Sequence, residues 1–301
     1  MHPPQAESLR SQALLAFELP MAPQRIDELP PPLPGVAAIR VQAPAGRFLL
    51  LSSEEPLGLA FEATLYDLLA EAHFPAPRPR RSAGGSLIAM LKRDPGPNRS
   101  GPAAAACYAW PPGELLDPSE ATRPQMLELG RLLARLHQLG ETHPASVADP
   151  ADGPALAARL PPGVEAETLR AVLGAGLLSL PLGAVHGAPD PAHALFIGDR
   201  CSALLPSGRA CAAPLVLDVA EALCAWALPL SRPLPALRGF LSGYQALRRL
   251  APEECEALFP ALRFAAARAG ARRLWLGEPG ALSPLQAADI LGEAEVRSAA
   301  G

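Results

Sequence analysis

The residues of this chain best equipped for chemistry cluster in AVHGAPDPAHALFIGD, Ala184–Asp199, which holds His186, Asp190, His193 and Asp199. A carboxylate on a loop of this kind can accept the proton of a substrate hydroxyl. Two oxygen-bearing side chains placed together can hold a divalent cation against phosphate. His186 and His193 with Asp190 could instead take zinc, since imidazole suits that ion better than Mg2+. Plainer readings compete with each. Asp190 stands between two prolines, where aspartate caps or turns the chain, and Asp199 in I-G-D-R reads as a hairpin tip.

Elements that would position these residues follow from periodicity and punctuation. Residues 1–35 form a Pro-rich lead-in with one short helix. Val36–Ala43 and Gly46–Ser53 read as a hairpin turning at Gly46. Leu57–Ala72 changes to helical spacing through Leu59, Leu65, Leu68 and Leu69, with Glu62 in its first half. Ser86–Leu91 and Ala103–Trp110 read as further strands. Residues 36–111 are therefore a small sheet with one inserted helix.

From 112 to 301 the pattern is mainly helical. Pro124–Leu139 is capped by Thr122 and closed by Gly140. Further helices are expected at Glu165–Leu177, Pro214–Leu228, Leu234–Leu250 and Pro252–Trp275. Among them, Ala194–Ile197 and Ala203–Leu205 form a hairpin turning at Gly198-Asp199. The organisation is α+β: a strand-rich first third and a larger helical remainder, with 184–207 as the loop region of interest.

Composition narrows the function classes. A chain of 301 residues can bury a substantial core, and a net charge of −4 gives no electrostatic footprint for nucleic acid. The five cysteines are scattered without a C-x-x-C pair, which fits a reducing compartment better than disulfides or zinc. No window approaches the roughly 18 apolar residues of a membrane span, and the first residues lack the basic and apolar regions of a secretion signal. A cytoplasmic protein with no nucleic-acid or membrane partner is expected.

Four stretches together carry a resemblance. LGRLLARLH (Leu129–His137) resembles G-x-x-L-A-x-L-H, and VHGAPDPAHALF (Val185–Phe196) resembles the loop H-[GA]-D-L-x-x-x-N-x-L-F. PLVLDVAEALCAW (Pro214–Trp226) is similar to a helix reading L-x-Y-D-[LV]-A with a later Trp. Phe240–Trp275 follows F-L-x-G-Y-x-x-x-R-x-L with its later E, L-R and R-L positions. These are motifs of the type II homoserine kinases, within the aminoglycoside phosphotransferase group. The resemblance implies a bilobal protein-kinase-like fold, with a small antiparallel N-lobe sheet bearing one helix and a mainly α-helical C-lobe.

Carried over residue by residue, the resemblance puts Ala188 at the family's proton-accepting Asp and His193 at its metal-binding Asn. The second metal-binding Asp depends on register. LVLDV would give Asp218, but the interval from Asp218 to Trp226 matches the family's helix, which moves the metal position to Pro206. His186, Gly187 and Asp218 then serve to hold the loop. The phosphate-anchoring lysine position is Leu51, and Glu62 is the helix carboxylate that would pair with it. Lys92, the only lysine, reads as a solvated turn residue. Without that lysine, Glu62 reads as a surface or capping residue.

The resemblance thus implies a pseudokinase, lacking base and Mg-binding residues, that binds a nucleotide or amino-acid-like ligand or a protein partner. The alternative is an active kinase using ATP and Mg2+ to phosphorylate the hydroxyl of homoserine or a related compound. Asp190 or Asp199 would then stand in for the missing acids.

Overall fold

A computed structural model describes residues 3–29, 36–92, 102–141, 143, 167–168, 177–276 and 283–300. Its contacts divide the chain into two units. One comprises Met1–Pro112 with Leu205–Ala210, and the other Gly113–Leu204 with Cys211–Gly301. The expected helix Glu165–Leu177 falls largely outside the described residues.

The first unit is built on an antiparallel sheet. Its strands are β1 (Arg25–Leu29), β2 (Val36–Ala43), β3 (Gly46–Ser53), β4 (Pro79–Arg80), β5 (Ile88–Leu91) and β6 (Ala103–Ala109). They run in the order β1-β2-β3-β6-β4, and β5 also pairs with β6. The 36–53 hairpin forms in the expected register, with Ala43 opposite Gly46. Arg25–Leu29, inside the Pro-rich lead-in, pairs along β2 as an edge strand rather than running free.

Strand alternation gives the sheet two buried faces. On one, Val41, Phe48, Leu50, Ala105 and Cys107 pack with Leu9, Ala13, Leu14 and Phe17 from helix α1 (Pro3–Ala16) and the residue after it. Leu49, Leu51 and Tyr108 alternate with these and belong to the opposite face, which helix α2 (Pro56–Glu71) covers. Tyr66 of α2 meets Tyr108 edge to face, with ring centroids 5.7 Å apart. The Tyr108 hydroxyl is buried without a hydrogen-bond partner among the described residues. Burial, then the nearby Glu62 charge, pushes its ionisation upward, so it stays neutral.

In the second unit, β7 (Glu114–Leu115), β9 (Ala194–Ile197) and β10 (Arg200–Leu204) form a small sheet, and β8 (Leu182–Val185) pairs with β11 (Cys211–Pro214). The helices are α3 (Arg123–Gly140), α4 (Leu215–Trp226), α5 (Pro233–Gln245), α6 (Pro252–Leu276), α7 (Pro284–Leu291) and α8 (Glu293–Ala300). Thr122 caps α3 as expected, accepting from the Gln125 amide while Gln125 reciprocates. Helices α3 and α5 cross closely through small residues. A Cβ on Gly243 would run into the Leu127 carbonyl, and one on Gly130 into the Phe240 carbonyl. Among the described residues, no helix is long and apolar enough to cross a membrane.

Two stability changes follow, both read by urea unfolding. Gly243→Ala forces α3 and α5 apart and should cost about 1–3 kcal/mol; an unchanged midpoint would contradict the crossing. Tyr108→Phe removes an unsatisfied buried hydroxyl and should stabilise by roughly 1 kcal/mol. A loss of stability would mean that this hydroxyl has a partner.

Candidate functional site

The segment that sequence reading singled out is held from beneath by one carboxylate. Asp218 lies in the first turn of α4 and is 1 % exposed. Its Oδ2 accepts from the His186 amide at 2.8 Å and its Oδ1 from the Gly187 amide at 2.9 Å. The Nε2 of His137, on α3, lies 3.1 Å from Oδ2. Burial drives the Asp218 carboxyl upward, but the His137 and backbone hydrogen bonds outweigh it and keep the group below the ordinary aspartate value.

Behind Asp218 runs a chain of buried partners: His137 is the packed, hydrogen-bonded residue expected of it, while the Tyr244, Arg248 and Glu254 links were not legible in the sequence. His137 Nδ1 is 2.7 Å from the Tyr244 hydroxyl. That hydroxyl accepts from Arg248 Nη1 at 3.1 Å, and Arg248 grips both oxygens of the buried Glu254. Burial holds the Tyr244 phenol well above its ordinary value. One proton arrangement satisfies every member: His137 donates from Nε2 to Asp218, and Tyr244 donates to Nδ1. The spacing of His137 behind Leu129 and Leu133, which puts a polar ring on the apolar face of α3, was the available signal.

The loop itself is folded on its own side chains. His186 Nδ1 accepts from the Ala188 amide at 3.2 Å. Ala188 is buried and offers only a methyl group. Asp190 Oδ1 accepts from the Ala192 amide at 2.9 Å and lies 2.7 Å from His193 Nδ1. The next turn is anchored by Trp226, whose Nε1 donates to the Pro189 carbonyl at 2.9 Å. Asp199, at the β9–β10 turn, accepts from the Thr122 hydroxyl at 3.2 Å. Asp190 and Asp199 are thus engaged with different partners on different turns.

In the first unit, Leu51 is fully buried on the α2 face of β3. The expectation that Glu62 is a surface or capping residue is wrong. Glu62 is 1 % exposed, and its oxygens accept from the Ser207 and Gly208 amides at 3.0 and 2.9 Å. Its place in the row Leu59, Glu62, Tyr66, Leu69 puts the carboxylate on the buried face of the helix. Pro206 precedes these amides and has no side-chain oxygen. Lys92 is exposed, and its backbone pairs with the Gln12 side chain.

These residues do not suit a Mg2+ ion. His193 is turned to Asp190, Pro206 has no donor, and Asp218 faces backbone amides. Among the described residues, no group of three or more His, Cys, Asp or Glu side chains is arranged to hold a metal, which also removes the zinc reading of His186, Asp190 and His193.

The loop's dependence on Asp218 is testable through pH. Because the folded carboxyl titrates below its unfolded value, its contribution is complete above about pH 4 and is lost as pH falls through the folded value. Asp218→Asn should cost about 2–4 kcal/mol at neutral pH, and its deficit against the wild type should narrow in acid. A deficit that stays constant across that range would contradict the assignment.

Comparison with known proteins agrees with this architecture. The profile of the phosphotransferase enzyme family matches residues 37–258. The homoserine kinase of Rhizobium meliloti (strain 1021) is 32% identical over 242 residues, covering 74% of this chain and 71% of that protein. That of Xanthobacter autotrophicus (strain ATCC BAA-1158 / Py2) is 31% identical over 266 residues, covering 80% and 78%. Among solved structures, an amicoumacin kinase in complex with AMP-PNP, Ca2+ and Ami superposes with a TM-score of 0.76 at 13% identity, covering 99% of this chain and 96% of that one. A microcompartment-associated aminopropanol kinase gives 0.67 at 16% identity, covering 96% and 94%. With its α+β architecture, its helix-held His-Gly loop and a match over most of its length, the chain belongs to the phosphotransferase enzyme family, as a homologue of the homoserine kinases.

Proposed function

We propose that this protein is a non-catalytic member of its family, a pseudokinase that keeps the fold for binding a small ligand or for regulation. What supports the reading is the joint state of three positions as the resemblance assigns them. Ala188 stands at the family's base, while His193 and Pro206 stand at its metal ligands. A positioned base contributes on the order of 10²–10⁴-fold to rate, and a metal stabilising transferred phosphate several kcal/mol more. Loss of both leaves no productive route for phosphoryl transfer to an alcohol.

The substitutes considered from sequence do not favour the enzyme alternative. Asp190 is occupied by its own turn and by His193, and Asp199 by Thr122. The loop around them is nevertheless kept in order by Asp218, His137 and Trp226. Removing polar loop residues that contribute nothing to the core leaves a protein free to fold. ATP binding, where it occurs, is then of the nucleotide alone. The amicoumacin kinase with its AMP-PNP and Ca2+ shows a metal-bound state that this reading denies to the present chain.

A coupled assay with ATP, Mg2+ and L-homoserine is expected to give no turnover above background. Thermal-shift titrations with ATP should give the same response with and without Mg2+. Turnover abolished by Asp190→Asn or Asp199→Asn would overturn the proposal and establish a relocated active site.

A further inference from the structure

Glu62 and the residues it holds have a role that the loss of catalysis does not explain. A carboxylate on the apolar face of α2, shut off from water, needs donors to remain there. They come from Leu205–Ala210, a strap that follows β10 and precedes β11 yet belongs by its contacts to the first unit. The Ser207 amide donates to Oε1 at 3.0 Å, and the Gly208 amide reaches both oxygens at 2.9 Å.

The strap is shaped for this grip. Gly208 has φ of +74°, which a side chain would strain, and an added Cβ would meet Val36 Cγ1 at 2.8 Å. The Ser207 hydroxyl accepts from the Arg209 amide at 3.2 Å and closes the turn. Ser207 is fully buried and Arg209 nearly so.

We propose that the Glu62 carboxylate is an internal anion that orders this strap in place of a bound cation. Where an acidic loop residue holds a metal, ion and loop order each other, so the loop depends on the ion. Here the strap carries Pro206 instead, and the negative charge comes from α2 and is received by backbone N–H groups, a concave nest suited to an anion. The strap is therefore fixed whether or not a cation or nucleotide is present. The inference rests on the non-catalytic reading only in taking Pro206 as the family's metal position.

Hydrogen exchange resolved to residues 205–210 by mass spectrometry tests it on the full chain. In wild-type protein without added metal the segment should be protected, and Mg2+ with ATP should leave its exchange unchanged. Glu62→Gln, nearly isosteric but uncharged, should speed exchange there by about tenfold or more. Gly208→Ala should act in the same direction by displacing the strap from the other side, which keeps the test open if Glu62→Gln does not fold. Wild-type exchange as fast as open chain, protection appearing only with Mg2+ and ATP, or variants indistinguishable from wild type would each overturn the proposal. Turnover of ATP with a cation-indifferent strap would remove the non-catalytic reading and leave the latch standing. A cation-dependent strap without turnover would do the reverse.

Discussion

The carboxylates that this fold buries at its loops are committed to its own backbone. Asp218 receives the amides of His186 and Gly187, Glu62 those of Ser207 and Gly208, and Glu254 the amide of Ala251 together with the Arg248 guanidinium. A buried carboxylate without donors costs several kcal/mol, so each of these pairings is obligatory once the side chain is inside. A divalent cation asks for several oxygens converging on one point. Asp218, Glu62 and Glu254 each face their own donors instead.

These pairings hold the loops through backbone rather than through side chains. The Asp218–His137–Tyr244–Arg248–Glu254 series lies within the second unit and orders the His-Gly loop from below. Nothing in that series needs a base at Ala188 or an oxygen at Pro206. The forces that hold the loop act on backbone groups, so its path does not depend on which side chain stands at Ala188. Family membership alone does not carry activity with it.

Much of this was legible in the sequence, and the exceptions have physical causes. The 36–53 hairpin, α2, α3 and the β9–β10 turn announce themselves through local period, a Thr122 cap and glycine punctuation. The short strands β4 and β7 have two residues each and exist only through partners far along the chain, β6 and β9, so no local pattern marks them. The helices α7 and α8 at the C-terminal end are eight residues each, too short for a helical period to stand out. Glu62 was misread because a carboxylate is assigned to water by default. Its position in the row with Leu59 and Leu69 argued otherwise, but its donors lie about 145 residues away in sequence and belong to backbone, which carries no residue signature. Asp199 shows the same limit, since Thr122 donates to it across 77 residues.

The central claim is that the described residues bring no cluster of side-chain ligands together to hold a divalent cation. It is tested most directly by titrating the protein with Mn2+ in the presence of a non-hydrolysable ATP analogue and following the metal by electron paramagnetic resonance. The account predicts a spectrum equal to that of the nucleotide–metal complex alone at every protein concentration. A protein-dependent Mn2+ signal that saturates stoichiometrically would contradict it.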